Sequence, residues 1–376
     1  MSDAPIVNCP FSIRTHPLHA PDPERAALRA AGPVVRVEAP AGGPVWIVTD
    51  ADLARKVLAD NRFAKDPALA PPHWDARTAG LEPTAAEQMS VTTLDGAAHT
   101  RLRRVFAPLF GTARLRAAYP RMRTIADQLL TSVGPGEVDL LADFTTRYPL
   151  TILCDLLGIP THHIDTAIAA CRLMHTDYPA NVGPAMSGFA RLATAALDHT
   201  DGPAAELAHR MPPGATPKDL HYQVFTLLFA GQLTTDLTIG FLMARLLGDP
   251  TAPHDNDELI RETLRKHPPA PFTLWRFTTT DLDLAGTPLP ARSPVLIDIQ
   301  GINTQGGQGN NDLTFGAGPH YCLGAQLAHL ELRALAETLR TDYPRARLTV
   351  PLDTLRHSTP GGIMGARLHA LPVALR

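Results

Sequence analysis

The stretch Phe315-Gly316-Ala317-Gly318-Pro319-His320-Tyr321-Cys322-Leu323-Gly324-Ala325-Gln326 sets one cysteine in a glycine-studded loop. Leucines at helical spacing follow at once: Leu327, Leu330, Leu332, Leu335 and Leu339. The chemistry on offer is a thiolate at the mouth of a helix. Unpaired N–H groups and the helix dipole favour negative charge there, so Cys322 is expected to lose its proton more readily than a free cysteine, and thiolate is the metal-binding form. Gly316, Gly318 and Gly324 are expected to take backbone angles closed to other residues, let a flat ligand approach the main chain, and aim N–H groups at the sulfur. A lone cysteine near a glycine is otherwise a buried structural residue beside a cap, but the whole pattern F-G-x-G-x-H-x-C-x-G-A argues for the ligand.

Three further groupings carry chemistry. In Asp95-Gly96-Ala97-Ala98-His99-Thr100-Arg101-Leu102-Arg103-Arg104, His99 and Arg103 are four apart and share one helical face, so both can grip one anionic group. In Ala230-Gly231-Gln232-Leu233-Thr234-Thr235 the threonine hydroxyls can bond to the carbonyl a turn back. Glu262-Thr263-Leu264-Arg265 puts an acid and a base on one helical face, a pairing that is costly when buried unless its remaining bonds are filled.

Together these residues resemble the cytochrome P450 superfamily, and the resemblance runs from about residue 20 through the rest of the chain. It implies haem b (iron protoporphyrin IX) with Cys322 as the iron's axial ligand and Phe315, Gly316 and Gly324 around the sulfur. His99, Arg103, Arg276 and His320 would hold the haem propionates. Ala230, Gly231, Thr234 and Thr235 would form the oxygen-binding segment, Gly231 leaving space for a diatomic ligand. The acid that usually precedes the threonine is Leu233 here, which removes one route for proton delivery. Trp74, Met89, Leu233, Thr273 and Leu274 would line the substrate site, and Glu262 and Arg265 would be structural.

The implied fold is mainly α with a minor β region, a triangular helical prism around the haem, formed by residues 1–376 as one domain. Residues 20–60, 270–300 and 345–376 would supply the small β regions. The implied activity is monooxygenation of a small specialised metabolite, with electrons from NAD(P)H through a ferredoxin-type partner and its ferredoxin reductase. Oxidative cross-linking of aromatic side chains in a short or carrier-bound peptide is the alternative, and a non-catalytic haem sensor or recruitment module is the rival of another class.

Composition narrows the classes. A formal charge of −3 with no Lys/Arg run argues against a nucleic-acid partner. Cys9, Cys154, Cys171 and Cys322 are scattered without a C-x-x-C pair, so neither a disulfide framework nor a zinc site is indicated, and a reducing cytoplasm fits. Residues 1–18 are polar and carry Pro5, Pro10 and Pro17, unlike a signal peptide or membrane anchor. A soluble monomer is expected.

The elements that must position these groups follow from periodicity. A helix over 22–31 capped by Asp22, a hairpin of 34–37 with 45–48, and a helix from Thr49 or Asp50 to about Leu58 come first. Residues 61–90 read as a long loop. Helices are expected at 115–133, 139–157, 163–173 and 184–208, with a break at 178–183. The apolar run 224–247 is hydrophobic nearly all round, the mark of a buried helix. Residues 272–277 and 294–298 read as strands. Residues 300–312 read as a short Gly, Asn and Gln rich segment, and the tail as short strands around Pro360-Gly361-Gly362.

Overall fold

The computed structural model describes residues 9–376 apart from 19, 21, 40, 76–87, 177–181, 199–201 and 306–311. Much of the expected 61–90 loop, of the 178–183 break and of the Gly, Asn and Gln rich segment therefore lies outside the described residues. Among the described residues the helices are α1 (Pro23–Ala31), α2 (Ala51–Ala59), α3 (Gly96–Phe106), α4 (Thr112–Val133), α5 (Leu140–Leu157), α6 (Ile164–Thr176), α7 (Val182–Leu197), α8 (Pro203–Arg210), α9 (Pro217–Gly248), α10 (Asn256–Lys266), α11 (Ile299–Gln305) and α12 (Ala325–Asp342).

Helix starts follow local chemistry. The Asp22 carboxylate accepts the Arg25 N–H at 3.1 Å with Pro23 in the first turn, and Asp50 accepts the Leu53 N–H at 2.8 Å. Asp50, not Thr49, is the cap of α2. Thr216 and Asp219 form a reciprocal capping box at the start of α9. The helix expected over 184–208 is two helices. Gly202 and Pro203 open α8 anew, since proline fits a first turn and cannot continue an earlier one.

The main sheet has the order Val34–Glu38, Pro44–Val48, Pro294–Ile297, Arg276–Thr278, Phe63–Ala64, with Pro44–Val48 parallel to Pro294–Ile297 and the remaining pairs antiparallel. The strand expected over 272–277 is regular only at Arg276–Thr278. Upstream, the Thr273 hydroxyl accepts the Ile297 N–H at 3.1 Å, so a side chain takes a ladder position that a carbonyl would fill. A smaller sheet joins the two ends of the chain: Arg14–Pro17 pairs antiparallel with Arg356–Thr359. The largest core cluster draws on α3 to α10 and α12, and α9 packs against α5, α7, α10 and α12. α9 is long and apolar enough to cross a membrane, but 72% of its most apolar window is buried inside the protein, which makes it a core helix.

Candidate active site

The cysteine loop is shaped by two left-handed glycines. Gly316 and Gly318 have φ of 72° and 68°, and a Cβ on Gly318 would stand 2.7 Å from the Leu58 carbonyl oxygen. Gly324 does not share this property. Its φ of −85° is open to any residue, and it serves as the N-cap of α12. The Cys322 N–H donates to the Phe315 carbonyl at 2.9 Å, which fixes the loop, while the Phe315 ring lies against His329 and Tyr321.

Cys322 has solvent-accessible surface, yet protein atoms crowd it enough to desolvate its thiol. Both hold when the free side of the residue opens into an interior chamber. The expectation of an easily lost proton is corrected in the metal-free chain. Burial raises the thiol's pKa, with partial compensation from the Gly324 N–H, the Arg103 charge and the Ala325 N–H. The helix mouth acts as expected, but desolvation is larger, and only a bound cation would reverse the balance.

Along one side of the chamber, α3, the cysteine loop and the main sheet converge. His99 is 2% exposed and stacks on His320 with ring centroids 4.0 Å apart. His320 Nε2 lies 3.0 Å from Asp95 Oδ1, and the Lys65 N–H donates to Asp95 Oδ2 at 2.6 Å. The Lys65 ammonium is itself buried and donates to the Trp275 carbonyl at 2.8 Å. Arg276, also buried, donates from Nη1 to the Phe63 carbonyl at 3.2 Å. Burial pushes His99 down to about 4 and Arg276 down to about 10, and drives Lys65 well below its usual range. His99 Nε2 and Arg276 Nε are buried with no hydrogen-bond partner. Cations gathered at such cost, with orphaned nitrogens, fit an anionic partner. Asp95 heads the D-x-x-x-H-x-x-x-R stretch of the sequence, whereas Lys65 carries no motif signal of its own and sequence reasoning missed it.

α9 carries the second set of accessible residues. Most of this helix is buried, yet Ala230 is exposed and Thr226, Leu227 and Thr234 are half-exposed. They mark the stripe that opens onto the chamber. The Thr234 hydroxyl donates to the Ala230 carbonyl at 2.7 Å. Gly231 faces α5, since a Cβ there would meet the Leu153 methyls at 3.0 and 3.1 Å, so its missing side chain lets two helices approach. Thr235 points away from the stripe and lies 3.2 Å from Glu331 Oε2 on α12. Glu331 is 1% exposed, its Oε1 has no partner, and burial raises its pKa to about 8.

The remaining expected residues divide. Leu274 is 39% exposed and Thr273 half-exposed. Leu233 does not sit with them: it is 4% exposed and packs with Ala185, Met186, Phe229 and Met364, tying α9 to α7 and the C-terminal segment. Trp74 is half-buried, edge-on to Trp275 and Phe277. Met89 is half-buried, its main chain held by α9. The expected Glu262–Arg265 pair is replaced by a longer-range one. Glu262 meets Arg245 of α9 at 2.8 Å, while Arg265 donates to the Asn303 carbonyl at 3.4 Å. Arg245 is 5% exposed and already tied to Thr263, so it is the guanidinium the acid must neutralise.

No family model matches the chain. It is 38% identical to the cytochrome P-450 monooxygenase DoxA of Streptomyces sp. (strain C5), with 98% of this chain and 97% of that one covered. That alignment spans 412 residues against 376 here, so it includes segments this chain lacks. The cytochrome P450 monooxygenase PikC of Streptomyces venezuelae is 30% identical, over 95% of this chain and 91% of its own. Among solved structures, CYP154A1 from Streptomyces coelicolor A3(2) superposes with a TM-score of 0.79 at 25% identity, covering 96% of this chain and 99% of that one. The cytochrome P450 enzyme CxnD, for C-S bond formation in chuangxinmycin biosynthesis, does so with a TM-score of 0.81 at 25% identity over 95% and 94%. The haem this likeness implies fits the residues present: a thiol on one side of the chamber, and orphaned buried nitrogens of His99 and Arg276 suited to its carboxylates. From its sequence relatives and its fold alike, the chain belongs to the cytochrome P450 monooxygenases.

Proposed function

We propose that this monooxygenase oxidises an apolar specialised metabolite, with electrons passed from NAD(P)H through ferredoxin reductase and a ferredoxin, and that it works as a cytoplasmic monomer. The observation that carries the reading is the pairing of a cysteine open to an interior chamber with the chamber-facing stripe of α9. Cys322 would bind the iron, and His99, Arg103, Arg276 and His320 would hold the propionates. Haem with a thiolate ligand supplies the activation of molecular oxygen.

The chain's own residues do the rest. The α9 stripe offers an apolar surface that orients substrate and keeps water out. Thr234 spends its proton on the Ala230 carbonyl, which leaves its oxygen as an acceptor facing the chamber. Leu233 cannot deliver a proton, and Glu331 of α12, beside Thr235 of α9, holds its own proton at neutral pH. Glu331 is the proposed proton store.

The named relatives are monooxygenases, which favours oxygen insertion over aromatic coupling, and nothing supports a non-catalytic haem protein. The test is mass analysis of products from purified holoenzyme with a surrogate ferredoxin system and a panel of polyketide and aromatic metabolites. A gain of one oxygen supports the reading. A loss of two hydrogens, or haem binding without turnover of any member, overturns it.

A further inference from the structure

The first turns of α9 hold a single loop residue by both ends of its peptide. The Met89 N–H donates to Asp219 Oδ1 at 2.9 Å, and the Met89 carbonyl accepts from Gln223 Nε2. Asp219 is not free to swing, because its Oδ2 accepts the Thr216 N–H at 2.8 Å and the Thr216 hydroxyl at 2.7 Å within the capping box. Gln223 is 1% exposed. A buried amide and a helix-capping carboxylate are thus committed to placing one methionine, where packing alone would leave a loop residue free to shift.

The clamp lies on the wall of the chamber. At about 100° per residue, Asp219, Gln223, Thr226, Leu227, Ala230 and Thr234 fall within one arc of about 100°. Beyond the clamp, Thr226, Leu227, Ala230 and Thr234 in this arc keep accessible surface. Met89 itself is half-buried, with a flexible, polarisable side chain that moulds to an apolar partner.

We propose that Asp219 and Gln223 are positioning residues that fix Met89 as the end wall of the substrate chamber. The wall thereby limits how far an apolar substrate can extend along α9 toward its first turns. The inference rests on the monooxygenase reading above and specifies what that site admits.

The test uses the holoenzyme and 1-alkylimidazoles from butyl to dodecyl, whose ring nitrogen binds haem iron and shifts its absorption band. In the wild type, affinity rises about fourfold per methylene until the chain meets the wall, then levels off. Met89→Ala, Gln223→Ala and Asp219→Ala move that break to longer chains, and Met89→Trp moves it to shorter ones. Asp219→Asn, which keeps an acceptor for the Met89 N–H, retains the wild-type break, which a general loss of packing would not do. The short probe and the carbon monoxide spectrum report whether each variant is folded and loaded, and Met89→Trp leaves the clamp intact. A break that stays put in Met89→Trp while butylimidazole binds normally overturns the inference. That failure differs from the absence of any band shift with butylimidazole in the wild type, which overturns the monooxygenase reading itself.

Discussion

The two sides of the chamber are built on opposite principles. The side formed by α3, the cysteine loop and the main sheet buries Lys65, His99 and Arg276 beside His320 and the more exposed Asp95, and leaves His99 Nε2 and Arg276 Nε without partners. The α9 side offers a stripe of alanine, leucine and threonine whose hydroxyl at Thr234 is already satisfied within the helix. One side leaves buried cationic nitrogens that call for a charged guest, and the other leaves a neutral hydroxyl, Thr226 Oγ1, without a partner. A site of this kind holds its cofactor through electrostatics and hydrogen bonds, while it chooses its substrate through shape.

The contrast can be broken at several points. Cys322→Ala is expected to abolish the thiolate-type carbon monoxide spectrum of the haem-loaded protein altogether, and a retained spectrum would place the iron ligand elsewhere. Glu331→Gln tests the buried acid between the two sides. Its carboxyl is raised from 4.5 to about 8 in the fold, so the native state favours the protonated form. Stability from this group is full below about 4.5 and is lost as pH rises through about 8. The loss is on the order of 4 kcal/mol at full ionisation. The glutamine variant lacks that slope, so Tm measured from pH 5 to pH 9 should fall more steeply in the wild type; parallel curves would mean that Glu331 is not held neutral.

Arg276→Leu should weaken haem retention by roughly ten- to a hundredfold, the worth of one charged hydrogen bond of about 1.5–3 kcal/mol. Thr234→Val should leave retention unchanged and lower only the product formed per oxygen consumed. Haem transfer to an excess of scavenging globin measures the first, and equal effects of the two substitutions on transfer would erase the distinction between the sides. The smallest effect belongs to Gly231→Ala. The added methyl meets Leu153 at 3.0 Å, and thermal unfolding should show a loss of about 1 kcal/mol, since the leucine's free end can give a little.

How much of this was legible depends on what each residue advertises. Cys322, His320, His99 and Arg103 stand in patterns where residue type and spacing jointly specify the geometry; His99 stacks on His320, and the Arg103 charge reaches Cys322. Lys65 follows a two-residue strand, and nothing local says that its ammonium is buried. Glu331 did leave a signal: it sits four residues after Leu327 and four before Leu335, on the apolar stripe of α12, where a carboxylate is out of place. The open side of α9 was hidden because the helix is apolar all round, so period alone could not say which arc lacks a neighbour. The partner of Glu262 was misread for a related reason, because a four-residue spacing names neighbours on one helix and is silent about Arg245 on another.

The antiparallel pairing of Arg14–Pro17 with Arg356–Thr359 sets an order of events during synthesis. The two strands lie about 340 residues apart, so this edge can pair only after the segment that carries Cys322 has been made.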